Sequence, residues 1–268
     1  MRAPLKYAAT TVTQSRVSIF APSRRPSGVR TVVVENAWGR AEVTADLTQI
    51  HRDIIDLLVG SDEFVRRQNP DGSLDVAFAP HALLRMLGHS HPGKDHIKWL
   101  RSMFEDLRLA RFTCTLKRGE VSVTGTSGIV SEYDDAKDRD GNYLGQGVRL
   151  SRRFMAFWSA DQPCHTERLT TQITVISSGA VQAVVRFCLT HSDGYIGKID
   201  DVLQIIGVTG VDRVKRARAD LRTYQGRLRE DFSVVLDWSA GMLRYTRRPE
   251  VWFGNRRSVA APVAAKTA

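Results

Sequence analysis

One order of elements occurs twice along the chain, and that doubling restricts the fold more than any other feature. In "LTQIHRDIIDLLVGSDEFV", Ile50, Ile54, Leu57 and Leu58 fall at helical spacing. The turn "NPDGS" and the extended piece "LDVAF" follow, then "APHALLRMLG", a short helix with Pro at its start and Gly at its stop. After a loop rich in His and Gly, "KDHIKWLRSMFEDLRLA" predicts a longer helix. "RFTCTLKRGEVSVTG" then alternates as two strands around a tight Arg-Gly turn. The second copy keeps the order: "SSGAVQAVVRFCLTH" as helix, "SDGY" as turn, "KIDDVLQIIG" as a short helix ending in Gly. "VDRVKRARADLRTYQGRL" is its longer helix and "FSVVLDWSAGMLRYT" its strand pair around a Gly turn. The run Leu83-Leu84-Arg85-Met86-Leu87-Gly88 matches Val202-Leu203-Gln204-Ile205-Ile206-Gly207.

Helix, short helix, longer helix and β-hairpin make the winged-helix arrangement, a helix-turn-helix variant whose third helix can enter the DNA major groove. The expected fold class is α+β, with two tandem winged-helix domains. The acidic, Gly-containing "DDAKDRDGNY" reads as surface between them. Domain 1 is therefore expected at 31–140, and a linker with domain 2 at 141–256. Residues 1–30 carry six basic residues, no acid and several Ser and Pro; they read as a disordered basic arm rather than an organellar presequence. The Ala-rich 257–268 reads as a loose tail.

Composition enters through charge. A formal net charge of +10 and a pI near 9.9 favour a polyanionic partner, nucleic acid or an anionic membrane surface. No apolar run reaches the roughly 18 residues that span a bilayer; the longest, "AVQAVVRFCL", is interrupted by Gln182 and Arg186. Cys114, Cys164 and Cys188 are far apart and show no metal-ligand spacing, which argues against a disulfide framework or a zinc site and for a reducing cytoplasm. His89 and His91, separated by Ser90 and followed by Pro92, read as a helix-connecting loop rather than a metal pair. No phosphate loop of the G-x-x-x-x-G-K-[ST] type is present, and "GTSG" is too short to cradle a nucleotide. No catalytic residue, metal, cofactor or membrane partner is expected, and no enzymatic activity.

The charges have a direction. Asp212 to Arg229 holds seven Arg or Lys residues and two acids. At 100° per residue Val214, Ala217, Leu221, Tyr224 and Leu228 form one stripe, predicted to face the core. Lys215, Arg218, Arg222 and Arg229 lie opposite, with Arg213, Arg216 and Arg227 along a flank. The first copy keeps the register: Ile97, Leu100, Phe104 and Leu107 inward; Lys94, Lys98 and Arg101 outward. A recognition helix needs this division, one stripe buried for rigidity and the other offering Lys to phosphates and Arg forks to guanine. Lys117 and Arg118, at the first hairpin tip, would touch backbone phosphate. The expected DNA-binding set is thus Lys94, Lys98, Arg101, Lys117, Arg118, Arg213, Lys215, Arg216, Arg218 and Arg222. If Arg218 or Arg222 reads a base, Ala there would cost about 1–3 kcal/mol of binding.

Over about Gly39 to Phe253 the chain resembles plasmid replication initiators of the TrfA/RepA type. The resemblance is carried by "GRAEVTADLTQIHRDIIDLL", by "APHALLRMLG" followed by "HIKWLRSMFEDLRLARFTCTL", and by the second copy ending "YTRRPEVWFG". It implies two winged-helix domains that bind iterons, repeated sites at a plasmid origin, and a protein without enzymatic activity of its own. It also implies host initiator and replicative helicase as partners, and a homodimer formed through domain 1. The function expected is therefore sequence-specific double-stranded DNA binding that starts plasmid replication. Three other readings remain open at this point: a winged-helix transcriptional regulator, a nicking enzyme using Tyr195 or Tyr224, and an anionic-membrane binder.

Overall fold

Each copy of the repeated order closes its own apolar core, and the two cores divide between Trp158 and Leu169. The computed structural model describes residues 10–11, 19–25, 28–36, 39–118, 121–137, 143–159, 163–165 and 167–248. The fold is α+β, with helices packed against small antiparallel sheets.

The first module begins with β1 (Thr10–Thr11), β2 (Arg30–Asn36) and β3 (Gly39–Ala45), then helix α1 (Gln49–Gly60). Strands β4 (Val65–Gln68) and β5 (Leu74–Phe78) lead to α2 (Pro80–Met86) and α3 (Lys94–Leu109). Two hairpins follow, β6 (Arg111–Arg118) with β7 (Val121–Ser127) and β8 (Val130–Lys137) with β9 (Tyr143–Leu150), and then α4 (Arg152–Ser159). After β10 (Pro163–His165) and α5 (Glu167–Thr174), the second module runs α6 (Gly179–Leu189), β11 (Tyr195–Lys198), α7 (Ile199–Ile205), α8 (Val211–Thr223) and α9 (Gln225–Phe232). It ends with the hairpin β12 (Val234–Asp237) and β13 (Met242–Tyr245).

The duplication is clearest at the turn after each short helix. Gly88 and Gly207 both adopt positive φ, 96° and 87°. The hydrogen bonds match residue for residue: Gly88 N–H to Arg85 O and His89 N–H to Leu84 O in one copy, Gly207 N–H to Gln204 O and Val208 N–H to Leu203 O in the other. A side chain is strained in this left-handed conformation, so glycine ends the helix and turns the chain into the next.

The modules differ in how their sheets close. In the second, β11 pairs with β13 and β13 with β12, so the hairpin after the longer helix closes on the strand before the short one. In the first, the hairpin directly after α3 does not pair with β5. It joins β2 and β3 in the order β2-β3-β6-β7, and β5 pairs instead with β9 in the order β4-β5-β9-β8. The stretch expected to separate two domains near 140 is therefore corrected: β8 and β9 pair across it. An acidic, Gly-containing run has the chemistry of a hairpin turn as much as of a linker.

The segment expected to be a disordered arm is also corrected in part. Ile19, Phe20 and Ala21 are buried in the first core. Ala21 N–H donates to Leu47 O and Gln49 N–H to Ser23 O, both at 2.8 Å. Apolar burial and backbone pairing hold this stretch despite the basic composition around it. The expected tail at 257–268 lies outside the described residues.

Helix α1 has almost no solvent face. Gln49, Arg52, Asp53 and Asp56 are buried with its aliphatic residues because α1 packs against α5 and α6. The fully buried Arg186 of α6 reaches Asp53 Oδ1 at 2.5 Å, Gln49 Oε1 at 2.8 Å and Asp56 Oδ2 at 3.3 Å. Gln182 Nε2 donates to Asp53 Oδ2 at 3.2 Å, and Arg24 Nη1 to the same oxygen at 3.1 Å. Burial pushes the Asp56 carboxyl above its ordinary range against the pull of Arg52 and Arg186.

Two outcomes follow for stability. Gly88→Ala and Gly207→Ala should each destabilise by about 1–2 kcal/mol in urea unfolding, a conformational cost alone. An added Cβ meets nothing within 4 Å at Gly88 and only Pro22 Cδ, at 4.0 Å, at Gly207. Arg186→Leu should destabilise by about 3–5 kcal/mol, because it strands Asp53 and Asp56 without their shared cation.

Candidate nucleic-acid interface

Helix α8 is built to be held on one side only. Ala217 and Leu221 are buried and Val214 packs against the second core, continued by Leu228 and Phe232 of α9 and by Tyr224 between the helices. The predicted core stripe is thus the observed one. Asp212 sits in the first turn and Arg222 in the last, where each suits the helix dipole. The single rod expected over 211–229 is two helices joined at Tyr224, which has φ −91° and ψ 5°. The break falls in Thr223-Tyr224-Gln225-Gly226, where helix propensity is weak. Tyr224 is also tied from the side: its hydroxyl accepts from Ser177 N–H at 3.1 Å and shares a 2.7 Å hydrogen bond with Ser177 Oγ.

Arg213, Lys215 and Arg216 are exposed along α8 and make no ion pair with any acid among the described residues. Arg218 and Arg222 are engaged. The Arg218 guanidinium forms a fork with Asp200 in the first turn of α7, Nε to Oδ1 at 2.9 Å and Nη2 to Oδ2 at 2.5 Å. Three of its five N–H groups remain outside that fork, along the end of the guanidinium. Arg222 lies over the Trp238 ring, 4.4 Å from its centroid, and Trp238 Nε1 donates to Gln225 Oε1 at 2.8 Å. Trp238 opens the β12–β13 turn, where Asp237 Oδ1 accepts from Ser239 N–H and Oγ and from Ala240 N–H. The bond from the Ser239 hydroxyl leads in holding the Asp237 carboxyl below its ordinary range. The hairpin turn is therefore braced from within and against α8 and α9.

In the first module Leu100, Met103, Phe104 and Leu107 of α3 are buried, and Ile97 packs on the core. Lys94, Lys98 and Arg101 are exposed, as the periodicity predicts. Lys98 lies 3.7 Å from Asp95, and Arg108 farther along is forked to Glu105; Lys94 and Arg101 make no ion pair with any acid among the described residues. The backbones of Lys117 and Arg118 pair with Ser122 and Val121 in β6–β7, while their side chains lie outside the described residues. His89 packs against His96 and Trp99 with tilted rings, at centroid distances of 4.5 and 5.4 Å.

Two exposed cations escaped the sequence reading. Arg25 is exposed beside the buried stretch 19–21, and a thirty-residue compositional average concealed it. Arg244 points outward from β13, in register with Ile196 and Val235; the alternation of buried Leu243 and Tyr245 could have shown it. Tyr195, a nucleophile in the nicking reading, packs on Phe187 and His191, and burial leads in raising its hydroxyl pKa. Among the described residues no group of three or more His, Cys, Asp or Glu gathers where it could hold a metal ion, and no helix is long and apolar enough to cross a membrane.

No family model and no curated protein matches the chain. Solved structures do. The chain superposes on a crystal structure of domains 2 and 3 of RctB with a TM-score of 0.55 at 12% identity, covering 89% of this chain and 99% of that one. A second crystal structure of RctB domains 2–3 gives 0.50 at 14% identity, covering 87% and 95%. The likeness is one of fold, and it spans both modules.

Tyr224→Phe removes only the hydroxyl that ties the α8–α9 junction to Ser177. It should leave the fold intact and cost about 0.5–1.5 kcal/mol in thermal or urea unfolding.

Proposed function

We propose that this chain is a sequence-specific double-stranded DNA-binding protein that initiates plasmid replication, built as two winged-helix modules. It would bind repeated sites at an origin and recruit the host initiator and replicative helicase, without an enzymatic activity of its own. One observation carries the reading: Arg213, Lys215 and Arg216 are exposed and free of acidic partners among the described residues, on a helix whose opposite side is locked in a core. The helix follows a short helix through a tight Gly turn, and after α9 the braced β12–β13 hairpin completes a three-stranded sheet with β11, an order that would present a recognition helix and a wing. Likeness to RctB, a replication initiator, supports the replication role over other uses of such a surface.

Within this proposal Lys215 and Arg216 face phosphates and base edges near the start of α8. Arg218 lies on the flank of α8 shared with Lys215, and Arg222 contributes at the hairpin. Lys94, Lys98 and Arg101 of α3 bind more weakly, since Asp95, Glu105 and Asp106 dilute the charge of that helix. A homodimer would use the first module. Arg, rather than Lys, predominates on α8, which suits forked recognition of guanine or phosphate.

Selection of bound duplexes from a random pool should return a direct-repeat-like consensus of about two helical turns. Replacing Arg213, Lys215 and Arg216 together with Ala should make the slope of log affinity against log salt shallower by about three units, since each phosphate left without its cation removes about 0.9. Selection that returns no consensus, or a triple variant with unchanged affinity and slope, excludes the surface. A supercoiled origin plasmid with Mg²⁺ should remain un-nicked.

A further inference from the structure

We infer that the groove between the Ser23–Arg25 segment and α8 holds the phosphate backbone of the bound duplex, with Arg25 on one wall and Arg213 and Arg216 on the other. The inference rests on the DNA-binding reading above and adds to it a composite site that neither module forms alone. The groove has a volume of about 470 Å³ and is closed at its base by Ser177 to Ala180, at the start of α6.

The wall that carries Arg25 is fixed. Arg24 Nη1 donates to Asp53 Oδ2 and to the carbonyls of Thr174, at 2.9 Å, and Ile176, at 3.2 Å. Through Nη1 this one side chain ties the segment to both modules. The chain also presses directly onto the start of α6: a Cβ at Gly179 would lie 2.5 Å from the Ser23 carbonyl carbon, so only glycine permits the approach. Arg25 projects from this clamped segment, exposed and without an acidic partner among the described residues.

The charge of the groove is one-sided. Arg25, Arg213 and Arg216 line it; the acid among the lining residues, Asp220, accepts a hydrogen bond from Ser178 Oγ at 2.7 Å. The positive end of the α6 dipole opens on the same space. Cations on opposing walls suit an extended polyanion running along the groove, next to the face of α8 that offers Lys215 outward.

The test uses the full chain and a duplex obtained by selection, with single phosphates replaced in turn by neutral methylphosphonate. Arg25→Ala should unfold at the same temperature as the unaltered chain and bind several-fold more weakly. Its salt slope should be shallower by about one unit, and Arg25→Lys should recover most of the deficit. At one or two backbone positions methylphosphonate should weaken the unaltered chain but have no further effect on Arg25→Ala. An Arg25→Ala variant with unchanged affinity and slope, or one that keeps sensitivity at every position, overturns the inference while leaving DNA binding by α8 intact. Failure of the unaltered chain to bind any duplex selectively removes both. If inorganic phosphate at constant ionic strength displaces the duplex from the unaltered chain but not from Arg25→Ala, the groove is a small-anion site and the inference is wrong.

Discussion

The carboxylate of Asp53 is the point at which three distant parts of the chain meet. Its oxygens take Arg186 and Gln182 from the second module and Arg24 from the N-terminal segment. A buried carboxylate is tolerated only where charges and donors surround it, since lost hydration costs several kcal/mol per ion. No partner here can be withdrawn cheaply, so the segment before β2, helix α1 and helix α6 hold one mutual geometry. That geometry sets the distance and angle between α3 and α8. A flexible tandem would raise effective concentration through its linker; a fixed one would present its two helices at a single spacing, leaving less ordering to any ligand that spans them.

Much of this was legible from apolar periodicity. The core stripes of α3 and α8, the two short helices and their terminal glycines all follow from patterns that burial enforces. The sheet closure was not legible. "RFTCTLKRGEVSVTG" reads as a hairpin and is one, but alternation says nothing of which edge a hairpin joins, and it joined β3 rather than β5. "DDAKDRDGNY" satisfied the chemistry of a linker and of a turn equally. The buried polar residues of α1 were hidden for a related reason: Arg52, Asp53 and Asp56 look like a solvent face until α6 supplies Arg186.

The charged surface shows the same division. One helical wheel separated inward from outward residues on α8 correctly, yet could not show which outward arginines were already committed. Arg218 is forked by Asp200, eighteen residues earlier, and Arg222 is spread over Trp238, sixteen residues later. Arg213, Lys215 and Arg216 have no such neighbour among the described residues, a property of tertiary placement. Exposed pairs contribute little to stability, so the Asp200 fork matters chiefly for where it aims the remaining donors of Arg218.

The two modules also show which features of a duplicated pattern physics holds constant within one molecule. Leu84 and Leu203 are buried at matching positions in the short helices, as are Leu100 and Ala217, and Phe104 and Leu221, in the longer ones. A change at any of them opens a cavity or forces a clash. No such penalty acts on the outer faces. There α3 has four Lys or Arg and three acids, α8 five and two, and the first module has β6 and β7 where the second passes through α9 into its closing hairpin. Matching cores therefore do not imply equal roles. The modules diverge where packing does not constrain them, in the charge of their outer faces and in the extent of their sheets.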